Sequence, residues 1–362
     1  MSVDVMVAAG GTGGHVYPAI AVAQALGEHG VRREAVRFVT DGRSRSMTAI
    51  ADAGFAFDTI ALEHGLERSF TLANGRVLSG TFRSVVRCRR LLSTYRPKVV
   101  VGFGAYVALP LTIAARMRGI PIVIHEQNAA PGLANRIAVK LGARAAVSMA
   151  GTPLARAVVT GNPVRPEVTS VVRAPTSPPT IAFVGGSLGS AVLDDLALDL
   201  YAAWRDRRDI AIVHVTGDRS FEQCGERLAA LRTPNDALSY ELLRYETDMA
   251  SRYRTTTIMV TRAGGMVAEL SAAGMPAVLI PWPGATERHQ HANAAAMVAA
   301  GAAVMHDEHE CDAAVLSATL DRLLDDQSAL VAMSHAAREF SRRDAAFAVA
   351  HLVVSAMRSD ER

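Results

Sequence analysis

The chain has 362 residues, of which 50% are hydrophobic and 20% are charged. This length predicts two domains, and this composition is typical of a globular protein rather than a disordered or fibrous one. The formal charge of +3 is too small to indicate a nucleic-acid partner, and none is expected.

The three cysteines, Cys88, Cys224 and Cys311, lie far apart and form no CxxC or Cys/His motif. This spacing predicts reduced, buried thiols in a cytoplasmic protein, with neither disulfides nor a structural zinc site. The N-terminus opens on a strand-like segment, and no apolar stretch reaches the ~20 residues that a membrane span requires. We therefore expect any membrane contact to be peripheral.

Short apolar runs alternate with amphipathic helical stretches, as in the βα units that build parallel sheets. In the first half this pattern predicts strands at Val3–Ala8, Val36–Thr40, Val99–Phe103, Ile122–His125 and Ala145–Ser148. The pattern restarts after a proline-rich segment and predicts strands at Ile181–Val184, Ile210–Val215, Ile258–Thr261, Ala277–Ile280 and Ala302–Met305. Near the C-terminus, apolar residues at helical spacing predict a helix over Ala345–Met357.

These elements predict an α/β fold of two Rossmann-like, doubly wound parallel-sheet domains that face a cleft. The N-terminal domain is expected to cover residues 1–162, with the C-terminal helix, residues 343–362, packing back on it. The second domain is expected to cover residues 163–342.

A glycine-rich turn, Gly10-Gly-Thr-Gly-Gly-His15, joins the first strand to a helix predicted to start near Pro18. Glycines let the backbone approach a ligand, and the free amides of a helix N-terminus attract phosphate. The spacing differs from the GxGxxG dinucleotide motif, and no acidic residue is suitably placed about 20 residues later. Contact with a phosphate or substrate and a merely tight βα connection both remain open for this turn.

Three further turns follow predicted strands: Gly102-Phe-Gly-Ala-Tyr106, Gly185-Gly-Ser-Leu-Gly189 and Arg262-Ala-Gly-Gly265. Open parallel sheets bind ligands at the carboxyl ends of their strands, so all four turns indicate one crevice. Glu269 lies in the helix after the last turn, where it would either accept hydrogen bonds from a ribose diol or be solvated. The chain has no Asp-x-Asp pair to hold a metal, so helix dipoles and amides would have to stabilise a leaving diphosphate.

Several longer motifs occur in a fixed order along almost the whole chain. They are Gly10-Gly-Thr-Gly-Gly-His-Val-Tyr-Pro18, Gly104-Ala-Tyr106, His125-Glu-Gln-Asn128, Pro131-Gly-Leu-Ala-Asn135, Gly161-Asn-Pro-Val-Arg165, Gly185-Gly-Ser187, Ala263–Glu269 and Ala285–Ala294. This series resembles the MurG family. These GT-B glycosyltransferases add N-acetylglucosamine to undecaprenyl-diphosphate-MurNAc-pentapeptide at the cytoplasmic membrane face, converting lipid I to lipid II.

The resemblance implies residue roles that we carry over position by position. It implies an acceptor site at Thr12, Gly13, Gly14 and Tyr106. It implies donor-site contacts from Asn128, Arg165, Ser187, Gly264, Gly265, Glu269, His289, Gln290 and Asn293. Within that set, Arg165 and Ser187 of the second domain would hold the diphosphate and Glu269 the ribose. The UDP-sugar is a substrate, so no cofactor is expected, and the acceptor would be lipid-linked or a small molecule.

The family inverts the anomeric centre, so a base must deprotonate the acceptor hydroxyl. His15 is the candidate because imidazole titrates near neutral pH, although it could instead only orient substrate or cap the helix. His125 and Glu126 are expected to hold the Asn128 loop in shape. His289 and His291 lack a third ligand, and no metal site is predicted there.

An arginine-rich stretch, residues 71–98, contains no acidic residue and carries apolar Leu72, Val77, Leu78 and Phe82. Its basic residues are Arg76, Arg83, Arg87, Arg89, Arg90, Arg96 and Lys98. Such a surface suits peripheral contact with the anionic inner face of the cell membrane, and it equally suits an ordinary solvated helix.

Three positions depart from the family pattern, all on the donor side. Leu188 stands where glutamine is usual, and the turn before Glu269 is one residue short. Glu246 replaces an aliphatic residue in the region that contacts the uracil base. Four functions therefore remain open: the cell-wall transferase, a divergent relative with another acceptor or donor, a GT-B nucleotide-sugar epimerase, and a non-catalytic nucleotide-sugar binding protein.

Overall fold

The computed structural model describes residues 3–11, 13–60, 73–186, 189–285 and 288–358, and for residues 73–81 and 105 it describes the backbone only. The chain divides into two compact units, Met1–Arg165 with Arg342–Arg362, and Pro166–Ser341. The first boundary lies three residues beyond the predicted position, so Arg165 belongs to the first unit.

Within the described residues, the first unit contains one seven-stranded parallel sheet. Its strands are β1 Val5–Ala8, β2 Val36–Thr40, β3 Ala56–Thr59, β4 Val99–Gly102, β5 Ile122–Glu126, β6 Arg144–Val147 and β7 Val158–Val159. They lie in the order β3-β2-β1-β4-β5-β6-β7. Val5 pairs with Val36 on one side and Val99 on the other.

The second unit repeats this plan with a six-stranded parallel sheet among its described residues. Its strands are β8 Thr180–Val184, β9 Ala211–Val215, β10 Ser239–Leu243, β11 Ile258–Thr261, β12 Ala277–Leu279 and β13 Ala303–Met305. They lie in the order β10-β9-β8-β11-β12-β13. Both orders reverse beside the first strand of the unit, as in doubly wound folds, so the prediction of two doubly wound parallel-sheet domains is confirmed.

Helices connect successive strands. In the first unit they are α1 Gly13–Ala25, α2 Ser44–Asp52, α3 Ala73–Tyr95, α4 Ala105–Arg116 and α5 Leu133–Lys140. In the second they are α6 Pro166–Thr169, α7 Ala191–Trp204, α8 Phe221–Leu231, α9 Met249–Thr255, α10 Met266–Ala273, α11 His289–Ala299, α12 Ala313–Asp325 and α13 Gln327–Phe340. The last helix, α14 Ala345–Arg358, packs against α1 of the first unit.

The central strands are buried on both faces. Val5 and Val7 of β1 join a core with α1 and α14, whereas Met6 and Ala8 join the core beneath α3 and α4. Such burial needs an unbroken apolar run instead of strict alternation. The same pattern over β8 and β11 fixes the core of the second unit.

Three strands were not predicted: β3, β7 and β10. Among the described strands, each lies at the edge of its sheet and pairs on one side only. Their residues are largely half-buried or exposed, so they lack the continuous apolar run that reveals a central strand.

Candidate functional site

The first glycine turn is fixed by two polar residues from the end of β2. The Gly11 amide donates to Asp41 Oδ2 at 2.9 Å, and Arg43 Nη1 donates to the Gly11 carbonyl at 2.8 Å. Gly11 has φ of +84°, and a Cβ on Gly10 would lie 2.9 Å from the Val107 side chain. The turn therefore requires glycine at both positions. Sequence reasoning missed Asp41 and Arg43. They could have been found because they follow β2, and β2 pairs with β1, the strand that leads into this turn.

Helix α1 begins at Gly13, so the predicted start near Pro18 was wrong. Proline at this position removes only the hydrogen bond to the Gly14 carbonyl, while burial of the following apolar residues holds the preceding turn in helical geometry. Gly13, Gly14 and His15 consequently lie in the first turn of α1, and backbone amides at the start of a helix can bind an anion. Thr12 lies outside the described residues.

His15 lies against the turn that precedes α4. Gly104 has φ of +74°, and a Cβ there would lie 3.3 Å from His15 Cδ2 and 3.7 Å from Asn135 Nδ2. Tyr106, in the first turn of α4, is 59% exposed. The carboxyl ends of the adjacent strands β1 and β4 thus bring together the first turn of α1, His15 and the turn before Tyr106.

Buried Glu126 organises the loop after β5. Its Oε1 accepts from the Asn128 amide at 3.0 Å and from Asn128 Nδ2 at 3.2 Å. Its Oε2 accepts from the Gly132 amide at 3.0 Å and from Asn135 Nδ2 at 2.8 Å. The expectation that Glu126 holds this loop is confirmed, and Asn135 extends the same network toward His15 and Gly104.

His125 is fully buried beneath this loop, and its Nε2 donates to the Gly161 carbonyl at 3.0 Å. Burial lowers the pKa of the imidazole from 6.5 to about 4; the Gly161 hydrogen bond opposes this decrease and nearby His15 adds to it. His125 is therefore neutral at pH 7 and serves the packing of the site rather than proton transfer.

This burial predicts a pH-dependent loss of stability. As pH falls, the unfolded chain takes up the proton near pH 6.5 and the folded chain only near pH 4. The free energy of unfolding should thus fall by up to ~3 kcal/mol over that range, relative to a His125→Gln variant. Urea unfolding across a pH series checks this, with exposed His351→Gln as the matched control. Parallel stability curves for the wild type and His125→Gln would contradict it.

Arg165 stacks its guanidinium over the Tyr17 ring of α1, with 4.4 Å to the ring centroid. The sequence placed Arg165 in the second domain, and that placement was wrong. The physical reason is this cation–π contact, which fixes the residue on α1 of the first unit.

In the second unit, the turn after β8 also demands glycine. Gly186 and Gly189 have φ of +79° and +75°, and a Cβ on Gly189 would collide with the Thr216 carbonyl oxygen. Ser190 then caps α7 by accepting from the Leu193 amide at 3.4 Å. Ser187 and Leu188 lie outside the described residues.

Arg262, directly after β11, ties three neighbouring segments together. Its Nε donates to Ser190 Oγ at 2.9 Å, its Nη1 donates to the Ile280 carbonyl at 3.0 Å, and it forms an ion pair with Glu308. Sequence reasoning treated Arg262 only as the start of a turn. Its contacts show that it holds the glycine turn after β8 against the ends of β11 and β12.

Helix α10 begins just after Gly264 and Gly265, and Glu269 lies near its N-terminal end. Glu269 is half-buried, and its Oε2 accepts from the buried Tyr253 hydroxyl at 2.9 Å. The tyrosine fixes one carboxylate oxygen, which orients the carboxylate for a further hydrogen bond. Sequence reasoning missed Tyr253.

Helix α11 carries the remaining residues that were predicted to contact the nucleotide-sugar. Buried Asn293 donates from Nδ2 to the Ala263 carbonyl at 3.1 Å, and Gln290 Oε1 accepts from the Trp282 amide at 2.9 Å. A Cβ on Gly264 would lie 3.8 Å from Gln290 Nε2. Half-buried His289 begins the helix. The structure thus brings Gly264, Gln290 and Asn293 together at the turn before α10.

Glu246 is engaged within its own segment. Its Oε2 accepts from Arg252 Nε at 3.0 Å and Nη2 at 2.8 Å, and its Oε1 accepts from the Asp248 amide at 3.0 Å. This ion pair neutralises the carboxylate that distinguishes the position from an aliphatic residue.

The exposed arginines of α3 form one basic surface. Arg83, Arg87, Arg89 and Arg90 are exposed, as is Phe82 at 69%. The side chains of Leu72, Arg76, Val77 and Leu78 lie outside the description. Within the described part of the chain, no helix combines the length and apolarity needed to cross a membrane.

Comparison with known proteins places these features in a family. Residues 5–147 match the glycosyltransferase family 28 N-terminal domain, and residues 180–349 match the glycosyltransferase family 28 C-terminal domain. The chain is 32% identical to the UDP-N-acetylglucosamine–N-acetylmuramyl-(pentapeptide) pyrophosphoryl-undecaprenol N-acetylglucosamine transferase of Shewanella loihica, over 97% of this chain and 96% of that relative. It is 36% identical to the transferase of the same name from Xylella fastidiosa, over 97% and 95% of the two chains.

A solved structure agrees with this relationship. The crystal structure of Acinetobacter baumannii MurG matches with a TM-score of 0.74 and 27% identity, covering 98% of this chain and 100% of that chain.

Proposed function

Because the chain belongs to glycosyltransferase family 28, we infer that it transfers N-acetylglucosamine from UDP-N-acetylglucosamine to undecaprenyl-diphosphate-MurNAc-pentapeptide in peptidoglycan synthesis. The observation that carries this inference is identity of 32% and 36% to transferases of that name along 97% of the chain. In addition, each unit contains glycine turns at strand ends that are held in place by hydrogen bonds from other segments of the same unit.

We propose that the first unit binds the acceptor. The amides of Gly13 and Gly14 at the start of α1 offer hydrogen-bond donors to the lipid diphosphate, and Thr12, which precedes them in the sequence, is proposed to bind it too. Exposed Tyr106 offers an aromatic and hydroxyl surface to the acceptor sugar. His15 takes the proton from the acceptor hydroxyl while that oxygen bonds to the anomeric carbon and UDP leaves with the bonding electron pair.

We propose that the donor is held chiefly by the second unit. Glu269 accepts hydrogen bonds from the ribose hydroxyls, and Gly264 and Gly265 present the start of α10 to the diphosphate. His289, Gln290, Asn293 and Ser187 complete the nucleotide-sugar contacts, and Arg165 and Asn128 contribute from the first unit. The backbone amides and helix dipoles stabilise the developing charge on UDP.

Replacing Glu269 with alanine should raise the dissociation constant for UDP about 10- to 100-fold, since it removes the carboxylate that accepts hydrogen bonds from the ribose hydroxyls. Isothermal titration calorimetry with UDP measures the effect. Exposed Glu310→Ala in the same unit is the control and should bind UDP as the wild type does. An unchanged dissociation constant in Glu269→Ala would remove this residue from the donor site.

The function itself is tested by UDP release. With a short-chain lipid-linked MurNAc-pentapeptide, release should depend on the acceptor and should be fastest with UDP-N-acetylglucosamine among a panel of UDP-sugars. Faster release from another sugar, or with another acceptor, would favour a divergent transferase. Conversion of the UDP-sugar without acceptor would favour an epimerase, and binding without any turnover would favour a binding protein.

We propose that the protein works in the cytoplasm, peripherally on the inner face of the cell membrane. The support is the exposed basic surface of α3 beside Phe82, which suits anionic headgroups and a shallow apolar contact. Co-sedimentation with vesicles that contain anionic phospholipid should exceed that with neutral vesicles and should fall as salt rises.

A further inference from the structure

A buried cluster of metal-ligand side chains lies in the core of the second unit, apart from the residues assigned to substrate. It contains Asp194 of α7, His214 of β9 and Cys224 of α8, all fully buried. One ligand atom from each residue lies within 4.8 Å of the others. Carboxylate, imidazole and thiolate are the donors that proteins use for Zn²⁺.

The contacts inside the cluster leave one strong acceptor unused. His214 Nε2 lies 2.9 Å from Asp194 Oδ1, and the Tyr240 hydroxyl lies 2.8 Å from His214 Nδ1. Asp194 Oδ2 is buried and has no hydrogen-bond partner among the residues that the structure describes. A buried carboxylate oxygen without a partner carries a substantial desolvation penalty, which a bound cation would remove.

We propose that Asp194, His214 and Cys224 bind one Zn²⁺ ion in the core of the second unit. The carboxylate and thiolate together balance the charge of the ion, which makes its burial favourable. Asp194 Oδ2, His214 Nε2 and Cys224 Sγ would supply three donors of a tetrahedral site, and a water molecule would complete it. Tyr240 orients the imidazole from its far side, as outer-shell partners of metal-bound histidines do.

Binding rearranges two protons. The Cys224 thiol proton is released to solvent as the sulfur bonds to the metal. The imidazole proton leaves Nε2, which bonds to the metal, and the His214 tautomer protonated at Nδ1 donates to the Tyr240 oxygen. One proton is thus released for each ion bound.

The ion would fasten three elements around the glycine turn after β8. Asp194 lies in the first turn of α7, and its amide donates to the Ser190 carbonyl at 2.9 Å. His214 lies two residues before Thr216, whose carbonyl forbids a side chain on Gly189. A metal joining α7, β9 and α8 therefore stabilises the framework of this turn, whatever the substrate of the protein.

The test is a cobalt titration of the full chain after its metal has been removed by dialysis against a chelator. Co²⁺ should produce a thiolate-to-cobalt charge-transfer band and tetrahedral d–d bands that saturate at about one equivalent per chain. Zn²⁺ should abolish both sets of bands and raise the melting temperature. Cys224→Ser should lose the charge-transfer band, whereas Cys311→Ser, which removes another buried thiol of the same unit, should retain it.

A saturable charge-transfer band of equal strength in Cys224→Ser would overturn the proposal. If Cys224→Ser fails to fold, the wild-type titration decides alone, because absence of the band there also overturns it. Release of less than one proton per ion in unbuffered solution would contradict the thiolate ligand.

Discussion

Replacing His15 with alanine is expected to lower kcat about 10²- to 10⁴-fold while the KM for UDP-N-acetylglucosamine stays within about twofold of the wild-type value. In the proposed mechanism, the imidazole receives the acceptor proton in the transition state and does not contact the nucleotide-sugar donor. His15 lies in the first turn of α1, against Gly104 and next to the glycines proposed to bind the acceptor diphosphate. Steady-state kinetics with both substrates varied measures the two constants.

The pH dependence separates a base from a merely positioning residue. For a general base, the acidic limb of the kcat profile should disappear in His15→Ala, whereas loss of positioning would lower the profile without changing its shape. His351→Ala, an exposed histidine of α14, is the matched control and should retain wild-type kinetics. Unchanged kcat in His15→Ala would remove this residue from the mechanism.

Replacing Glu126 with glutamine should lower both stability and turnover. Each carboxylate oxygen accepts two hydrogen bonds, and an amide nitrogen in place of either oxygen would leave two donors without an acceptor. We expect the free energy of unfolding to fall by about 2–4 kcal/mol. Turnover should fall about 10- to 100-fold, because displacement of this loop would move Asn128, which is proposed to contact the nucleotide-sugar.

Urea unfolding and steady-state kinetics on the same preparations measure both effects. Glu34→Gln makes the same chemical change at an exposed site of the first unit and should alter neither quantity. Wild-type stability in Glu126→Gln would show that the loop does not depend on this carboxylate. Lost stability with unchanged turnover would separate the loop from catalysis.

The fold was predictable where burial leaves a continuous apolar run in the sequence. The buried strands β1, β4 and β11 were predicted to within two residues at each end. Edge strands such as β10 alternate exposed and buried positions over too few residues to differ from a loop. Pro18 misled the prediction of the α1 start, since one missing backbone donor does not outweigh the packing of a helix on a sheet.

The candidate site was predictable in its backbone and less so in its side-chain contacts. Glycine turns at strand ends follow from local sequence, and their positive φ angles at Gly11 and Gly189 agree. Asp41 contacts a turn 30 residues earlier, and Arg262 joins segments that are far apart in the chain. Such contacts depend on which strands are neighbours, which a single sequence does not specify.

The most direct test of the central claim is mass spectrometry of a lipid-linked MurNAc-pentapeptide acceptor after incubation with the protein and UDP-N-acetylglucosamine. We predict that the acceptor gains the mass of one N-acetylhexosamine residue, in amounts equal to the UDP released. An unmodified acceptor, from folded protein that binds the UDP-sugar, would contradict the assigned transfer reaction.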